Sequence, residues 1–551
     1  MNRRSFLCRI GAVGLGGLAG CPDGGNGGET DTDTTVATPT DSPGPVTGST
    51  PGRTPGEPLT DEPPSLRDLA RVPADANVEF EHVHDVRDLG ADPTGERPIN
   101  PVLEDHIQEG TLFVFPEGRY SLSPFIKTGL RNVGFVSRVD NRPTLVPAGP
   151  VEETGEWLVA LKGENLLVNG FDLDYTSPGH GARIQLFASR GNFWCRDLHI
   201  YGQIDSYADA FAFKVLDSDG VGVVERLVAR DGSPGNTGPT SGIFVGLEHS
   251  GTIRIVDCEM WHFPGKGIYG SNPAERATGA GGGIVHVEGG HYRNNNIGNI
   301  RVGGGATIKD VTFEMIDSLE GGTVEWETPL PRRRDIINAR SLRVKGDRNG
   351  RVVVENCEFR HESGGGSGVV VVTPTGSVTL RNCEITHDSG PLPTVHLKPD
   401  ITSLDPSRFE NVTIAGESSD APGVLVRENN GASFDDCSIT LPNTDGFRLT
   451  PDSSVRLKRC SVDVGGLAVT FMGEDPDGSH SVIFLNGASE TFRNYGLSLT
   501  QCEDDGGSDA STDVDVADDP YLSRALGRSV TVPCGVAELN ADSNVIVLIS
   551  G

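Results

Sequence analysis

The sequence predicts an all-β fold, a solenoid of short strands stacked coil upon coil, and two observations carry that expectation. The first is a phrase that keeps returning: a polar turn residue, a small apolar residue, any residue, then an aliphatic or aromatic one. It reads Asp257-Cys258-Glu259-Met260, Asn356-Cys357-Glu358-Phe359, Asn382-Cys383-Glu384-Ile385, Asn411-Val412-Thr413-Ile414, Asp436-Cys437-Ser438-Ile439 and Arg459-Cys460-Ser461-Val462. Looser copies stand at Gly170-Phe171-Asp172-Leu173, Asp197-Leu198-His199-Ile200 and Asp310-Val311-Thr312-Phe313. They recur roughly every 21 to 32 residues, a period that signals stacked coils. The second observation is an alternating apolar run ahead of the copies, such as Val378-Thr379-Leu380 or Val455-Arg456-Leu457. Gly and Asn breakers lie between the runs and no helical period is sustained, so the coils are built of strands.

Stacking places equivalent residues one above another at about 4.8 Å. Cys258, Cys357, Cys383, Cys437 and Cys460 are therefore expected to form an interior column. The Asn or Asp before each is expected at a turn, where its side chain bonds the backbone and its copies in neighbouring coils. Of the ten cysteines, Cys195 and the five column members read as small buried hydrophobes. Stacked neighbours such as Cys357 and Cys383 could lie within the roughly 4.4 to 6.8 Å Cα separation that a disulfide needs. Cys502 and Cys534 fall outside the phrase and are the better placed pair for a bridge fastening the C-terminal tail.

With these repeats in view, the chain resembles the right-handed parallel β-helix proteins of the pectate-lyase-like superfamily over roughly residues 80 to 500. The most specific match is Asp88-Leu89-Gly90-Ala91-Asp92-Pro93-Thr94-Gly95 followed by Phe115-Pro116-Glu117-Gly118-Arg119-Tyr120-Ser121-Leu122. Members usually open with that Gly-Ala-Asp phrase and a Phe-Pro-x-Gly-x-Tyr first strand. Between the two they carry an Asp-Thr-x-Ala-Ile-Gln helix; Ile99-Asn100-Pro101-Val102-Leu103-Glu104-Asp105-His106-Ile107-Gln108 departs from it and suggests a shortened cap helix. The resemblance implies a single-stranded right-handed parallel β-helix of about 12 coils. It is assigned to residues 76–500, with an acidic insertion and C-terminal cap strands in 501–551.

Residues 1–21 read as an export signal. Arg3-Arg4-Ser5-Phe6-Leu7 looks like a twin-arginine motif, the apolar stretch from Ile10 to Ala19 is too short to span a bilayer, and Leu18-Ala19-Gly20-Cys21 resembles a lipobox. Cys21 is therefore expected to carry a diacylglyceryl anchor, the only membrane attachment, on the extracellular face. Residues 22–75, rich in Pro, Thr, Gly and Asp, bury too little to fold and read as a solvated tether. The net charge is −31, the pI near 4.7, and eight of the 46 basic residues are Lys. An acidic, Lys-poor surface suits concentrated salt and argues against a nucleic-acid partner. A polyanionic sugar remains compatible, because at molar salt the screening length is only about 3 Å.

Three fragments suggest a polygalacturonase-like site: Gly179-His180-Gly181, Asp435-Asp436-Cys437 and Asn443-Thr444-Asp445-Gly446. Their order is inverted, and His180 and Asp445 lie about ten coils, or ~50 Å, apart. A more coherent set spans Asp205 to Arg301. Aligning Ala212-Phe213-Lys214-Val215, Gly242-Ile243-Phe244-Val245, Gly267-Ile268-Tyr269-Gly270 and Asn299-Ile300-Arg301-Val302 sends Lys214, Phe244, Tyr269 and Arg301 outward as one stripe. Beyond it the same position is read as Val370, His396, Leu425, Arg448 and Ala468. Cations and aromatics in line suit an extended polysaccharide.

The loops leading into these strands carry Asp205, Asp209, Asp231, His262 and Lys266 as candidate catalytic groups, and Arg293 with Asn294, Asn295 and Asn296 as further binding groups. Two chemistries fit. In β-elimination of a uronate, a cation or Ca²⁺ neutralises the carboxylate while Lys or Arg takes the C5 proton, with Asp205, Asp209 and Asp231 as oxygen ligands. In hydrolysis, two aspartates serve as acid and base. The plain alternative is a solvated polar rim on an acidic protein. Arg332-Arg333-Arg334, Glu503-Asp504-Asp505 and the Asn411 sequon read as surface features, and His249 and His286 lack zinc-ligand spacing. The expected function is that of an exported, lipid-anchored, carbohydrate-active protein acting as a lyase or glycoside hydrolase; the alternative is a non-catalytic surface binding or structural protein.

Overall fold

Each rung of the molecule is laid down by three short strands in chain order, and each strand pairs in parallel with its counterpart in the next rung. The computed structural model describes residues 65–471 apart from 206–207, 235–239, 276–277, 317–339, 347–348, 363–367, 400–405, 428–429, 451–452 and 467–468. It also describes the backbone of Ser481–Leu485, Leu497–Ser498, Ser511–Val516, Ser529–Pro533, Ala537–Ala541 and Asn544–Leu548. The export signal with Cys21, the segment up to residue 64, Arg332-Arg333-Arg334, Glu503-Asp504-Asp505, Cys502 and Cys534 lie outside the described residues.

A representative rung is Thr252–Val256, Glu259–Trp261 and Lys266–Gly270, and the next is Ile284–Glu288, His291–Arg293 and Gly298–Val302. Arg254 pairs with His286, Glu259 with His291 and Ile268 with Ile300. Three parallel sheets thus wrap one interior, the parallel β-helix expected from the repeats. We call them the first, second and third sheets in chain order.

The returning phrase marks the corner between the first and second sheets. Its polar residue adopts the left-handed conformation: Asp257 has φ 49°, Asn356 55°, Asn382 52°, Asn411 53° and Asp436 55°. Asn and Asp tolerate that region better than other side-chain-bearing residues, which explains the residue type. The side chains also bond rung to rung, as expected: Asn356 Nδ2 donates to Asp310 at 3.1 Å, Asn382 to Asn356 at 3.3 Å and Asn411 to Asn382 at 2.9 Å. The following residue turns inward, so Cys258, Cys357, Cys383, Cys437 and Cys460, with Cys195, are buried free thiols. Behind them aromatic rings stack at the rung spacing, Phe313 on Phe359 and Phe409 on Phe434, both at 4.3 Å between centroids.

Both ends are covered. The short helix Asn100–His106, the shortened cap, buries Ile99 and Leu103 against the first coils. At the other end Asn544–Leu548 adds a parallel strand to Ser481–Leu485 and turns back antiparallel onto Ala537–Ala541. Packing begins at Leu66 rather than at 76. Residues 66–80 form a strap on the outer face of the first sheet, where Ala70, Ala76, Val78 and Phe80 cover Leu112, Val114, Val136, Leu167 and Trp194 in a second apolar cluster. Arg71 fixes the strap by donating to the carbonyls of Arg138 and Val139, both at 3.1 Å, and Asn169 donates back to the Arg71 carbonyl. Among the described residues no helix is long and apolar enough to cross a membrane.

Candidate functional site

The third sheet carries the stripe, and its ladder fixes the register. Ile243 pairs with Ile268 and Phe244 with Tyr269; Ile268 pairs with Ile300 and Tyr269 with Arg301, as expected. Lys214 departs from the alignment. Ala212 stands beside Phe244, and Lys214 lies two residues further along the strand, over Gly246, where any Cβ would collide with its side chain. A shift of two preserves which face each residue presents, so alternation alone does not detect it. The column then continues through Arg343, Val371, His396, Leu425, Arg448 and Thr470. Val371 and Thr470 replace the expected Val370 and Ala468, and Arg343 enters as a rung the alignment skipped.

Tyr269 is the centre of the stripe. The Lys266 ammonium sits 3.9 Å and the Arg301 guanidinium 4.6 Å from its ring centroid, and the Phe244 ring meets it edge-on at 5.5 Å. Both cations are held in place beneath the surface, at 6% exposure for Lys266 and 1% for Arg301. Arg301 donates to Glu275 at 2.9 Å, and Lys345 reaches the same carboxylate at 3.3 Å. Burial and the neighbouring Arg343 and Arg301 guanidinium groups push Arg340 down to about 9. It stays cationic at neutral pH, but like charges are crowded here, on a chain whose overall charge is strongly negative. Lys214 serves elsewhere: it is 3% exposed, lies over the Phe187 ring at 4.7 Å and pairs with Glu248.

At the mouth of the third sheet Asp209, Ser241 and Lys266 follow one another on successive rungs. The Ser241 amide donates to Asp209 at 2.8 Å, the Lys266 amide to Ser241 Oγ at 3.4 Å, and Arg183 lies 3.4 Å from the Asp209 carboxylate. Burial raises the Asp209 carboxyl above the usual carboxylate range, while Arg183, Ser241 and Lys266 pull the other way.

The other candidate catalytic residues do not join this group. Asp205 accepts from the amides of Gly179 and Gly181, tying down the Gly179-His180-Gly181 turn. Asp231 accepts from the Gly202 amide at 2.9 Å. His262 contacts the Arg230 carbonyl at 3.1 Å and Asn294 Nδ2 at 3.2 Å. These are corner fastenings, as are Asn295, which bonds Phe263, Met260 and Asn299, and Asn294, which accepts from Ile316. Arg293 belongs to the second sheet, where it lies 5.6 Å from the Trp261 ring and 4.0 Å from Glu314. Among the described residues no three His, Cys, Asp or Glu side chains come together as a metal cage, and Asp205, Asp209 and Asp231 each have other partners. Asp445 pairs with Arg448, and Asp436 with Arg459.

Reasoning from the sequence missed Arg183, Glu275, Arg340, Arg343 and Lys345. Two of these had a signal, because Leu342-Arg343-Val344-Lys345 repeats the alternation of Ile300-Arg301-Val302. Glu275 reaches Arg301 from a loop of irregular length, which no period discloses.

Comparison with known proteins agrees with this architecture. The family model for a right handed beta helix region matches residues 332–504, and the coils carry that hand. No curated protein matches the chain. Among solved structures, the surface protein and adhesin PfbA of Streptococcus pneumoniae is 12% identical, with 71% of this chain and 100% of that chain covered and a TM-score of 0.37. The mannuronan C-5 epimerase AlgE4 A-module of Azotobacter vinelandii is 14% identical over 71% and 98%, TM-score 0.32. The catalytic unit of an alpha-1,3-glucanase from Streptomyces thermodiastaticus is 12% identical over 76% and 65%, TM-score 0.31. A fold does not fix a function, so the choice among functions rests on this chain's own residues.

Proposed function

We propose that this chain is an exported, carbohydrate-active β-helix protein that binds an extended, uronate-containing polysaccharide across the cation and aromatic cluster of the third sheet. The observation that carries the reading is the gathering of Lys266 and Arg301 at the Tyr269 ring, with Arg343 close enough to Arg340 to disfavour its charge. An aromatic face takes the apolar side of a pyranose, and fixed guanidinium groups take carboxylates in paired hydrogen bonds. In a chain of charge −31, concentrating cations at one place favours an anionic ligand, and molar salt removes the long-range repulsion from the rest of the surface.

The chemistry that fits is β-elimination. A guanidinium neutralises the uronate carboxylate and acidifies the C5 proton, Lys266 in its neutral amine form, its own proton first given up to solvent, takes that proton, the C4–O bond breaks, a C4=C5 double bond forms, and the departing oxygen is protonated by Asp209, whose carboxyl burial keeps above the ordinary range. Ca²⁺ would add a second neutralising charge. One observation favours a non-catalytic binder instead: Lys266 is almost wholly covered and held against Tyr269, which keeps the base of the elimination away from a substrate proton. We further propose that Cys21 carries a lipid anchor and that residues 22–64 tether the β-helix to the outer membrane face of a salt-adapted cell.

The test incubates the purified chain in molar NaCl, with and without CaCl₂, against oligogalacturonate, alginate and neutral polysaccharides, following ultraviolet absorbance and reducing ends together. New absorbance that disappears in Lys266→Ala and Tyr269→Ala is the expected result. Reducing ends without absorbance assign hydrolysis. Retained binding with neither signal assigns the binder, and no binding to any acidic polysaccharide overturns the reading.

A further inference from the structure

The second sheet carries a different surface, which the stripe does not use. Its outward residues at the N-terminal end run in two adjacent columns. Arg119 pairs with Thr144, Thr144 with Asp172 and Asp172 with His199; beside them Asp174 pairs with Tyr201. Asp172 and Asp174 alternate on one strand, so they point the same way with Cα atoms about 7 Å apart. Together Arg119, Thr144, Asp172, Asp174, Thr176 and Tyr201 line an open cleft.

The two carboxyl groups are held in different states by their surroundings. Asp174 is fully engaged: Arg119 donates to one oxygen at 2.7 Å, and the Thr176 hydroxyl and amide donate to the other at 2.6 and 3.0 Å. Against the opposing effect of burial, these bonds keep it below the usual range. Asp172 has the reverse balance. Its Oδ1 is buried and accepts no hydrogen bond, with the nearest cationic groups, Arg142 Nε and His199 Nδ1, at 3.6 and 3.9 Å. Burial raises its carboxyl and Arg142 only partly offsets this. Oδ1 is thus turned away from solvent, and the 22% of the side chain that stays exposed leaves the other carboxylate oxygen to the cleft.

Tyr201 completes the cleft. It is one of only three large apolar or aromatic side chains that are exposed among the described residues, at 49%. Two rungs further, about 10 Å along the same column, Trp261 is clamped between Arg230 at 4.9 Å and Arg293 at 5.6 Å. The charges at the cleft balance, Arg119 against Asp174 and Arg142 against Asp172, in contrast to the crowded cations around Tyr269.

We infer that this cleft is a second saccharide site, which takes an uncharged, hydroxyl-rich sugar unit with its apolar face on Tyr201 and its hydroxyls on Asp172, Thr144 and Arg119. Asp172 accepts a sugar hydroxyl through Oδ2, and Trp261 supports a unit further along the same chain. The inference does not rest on the acidic-polysaccharide reading, because it uses another sheet, other residues and a ligand of another charge.

The test titrates the full chain in molar NaCl with cello-, manno-, xylo- and malto-hexaose by calorimetry. We expect at least one neutral series to bind, Tyr201→Ala to weaken it by about tenfold or more, Asp172→Ala to weaken it similarly, and Tyr201→Phe to retain it. Tyr269→Ala should leave it unchanged, while Tyr201→Ala should leave oligogalacturonate binding unchanged. Thermal unfolding of each variant confirms that it folds; Tyr201, half exposed, is the substitution least able to disturb the coil. No binding by any neutral series, full affinity in Tyr201→Ala, or equal loss in Tyr269→Ala would overturn the inference. Each of these results leaves the oligogalacturonate measurement to judge the other reading separately.

Discussion

The outer column of the third sheet changes character along the molecule while the interior behind it does not. In the rungs from Phe244 to Arg343 it presents Phe244, Tyr269, Arg301 and Arg343; in the later rungs it presents Val371, His396, Leu425 and Arg448. The inward partners are apolar in both, Ile243, Ile268, Ile300 and Leu342 against Val370, Val395, Val424 and Phe447, all buried. A repeat therefore constrains the inward positions by packing and leaves the outward ones to diverge. Function is to be sought where the repeat is least regular, and stability where it is most regular.

If the interior is equivalent in both halves, then Phe213→Ala, facing Phe193 at 5.2 Å, and Phe434→Ala, stacked on Phe409, should each cost about 3–5 kcal/mol of unfolding free energy. Denaturant unfolding in molar NaCl measures both, and a gap above about 2 kcal/mol would break the equivalence.

The later half should be the more acid-sensitive. His361 and His387 are fully buried with rings 5.3 Å apart and no hydrogen bond at either Nε2. Burial pushes His387 down to about 4, with Asp388 opposing, and holds His361 well below its usual value, with His387 adding to the effect. A histidine whose folded pKa is depressed binds fewer protons than the unfolded chain. Its contribution is thus present above the unfolded value near 6.5 and is lost as pH falls from there towards 4. His387 alone should account for about 3 kcal/mol across that window. Unfolding between pH 7 and 4 should show the loss, and His387→Gln should flatten it.

The outward difference is smaller in energy and sharper in function. Tyr269→Ala should weaken acidic-polysaccharide binding by about tenfold or more, and Leu425→Ala by less than about twofold, in the same calorimetric titration. A modest effect on stability should fall at the corner that both halves share. Asn382→Ala, which forces a left-handed φ of 52° on alanine and removes the bond to Asn356, should cost about 1 kcal/mol.

The same asymmetry explains what was legible beforehand. The turn residue, the buried thiol and the aromatic stack recur because stacking demands them at every rung, so a single sequence displays them several times over. Tyr269, Phe244 and Arg301 were legible because the Gly-rich strands that carry them align without gaps. Lys214 was misplaced because Phe211 and Phe213 are both buried, which makes registers two residues apart indistinguishable by pattern. Asp205, Asp231 and His262 were chosen by residue type; their hydrogen bonds to Gly179, Gly181, Gly202 and Arg230 cross rungs, and only the fold reveals them. The Asp172 cleft was not legible because Asp172 sits inside a copy of the repeat phrase, with Asp174 directly after it, and both read as scaffold.

The strap of residues 66–80 has a mechanical meaning. A pull arriving from the N-terminal side reaches the coils through the Leu69 carbonyl, which accepts from the Val139 amide, and then through Arg71 and its carbonyl partners on Arg138 and Val139, with Asn169 gripping the Arg71 carbonyl in return. Those bonds tie the strap to two separate rungs. Force is therefore shared between rungs before any one of them is loaded alone, and the strap behaves as a strain relief that protects the first coil from unwinding.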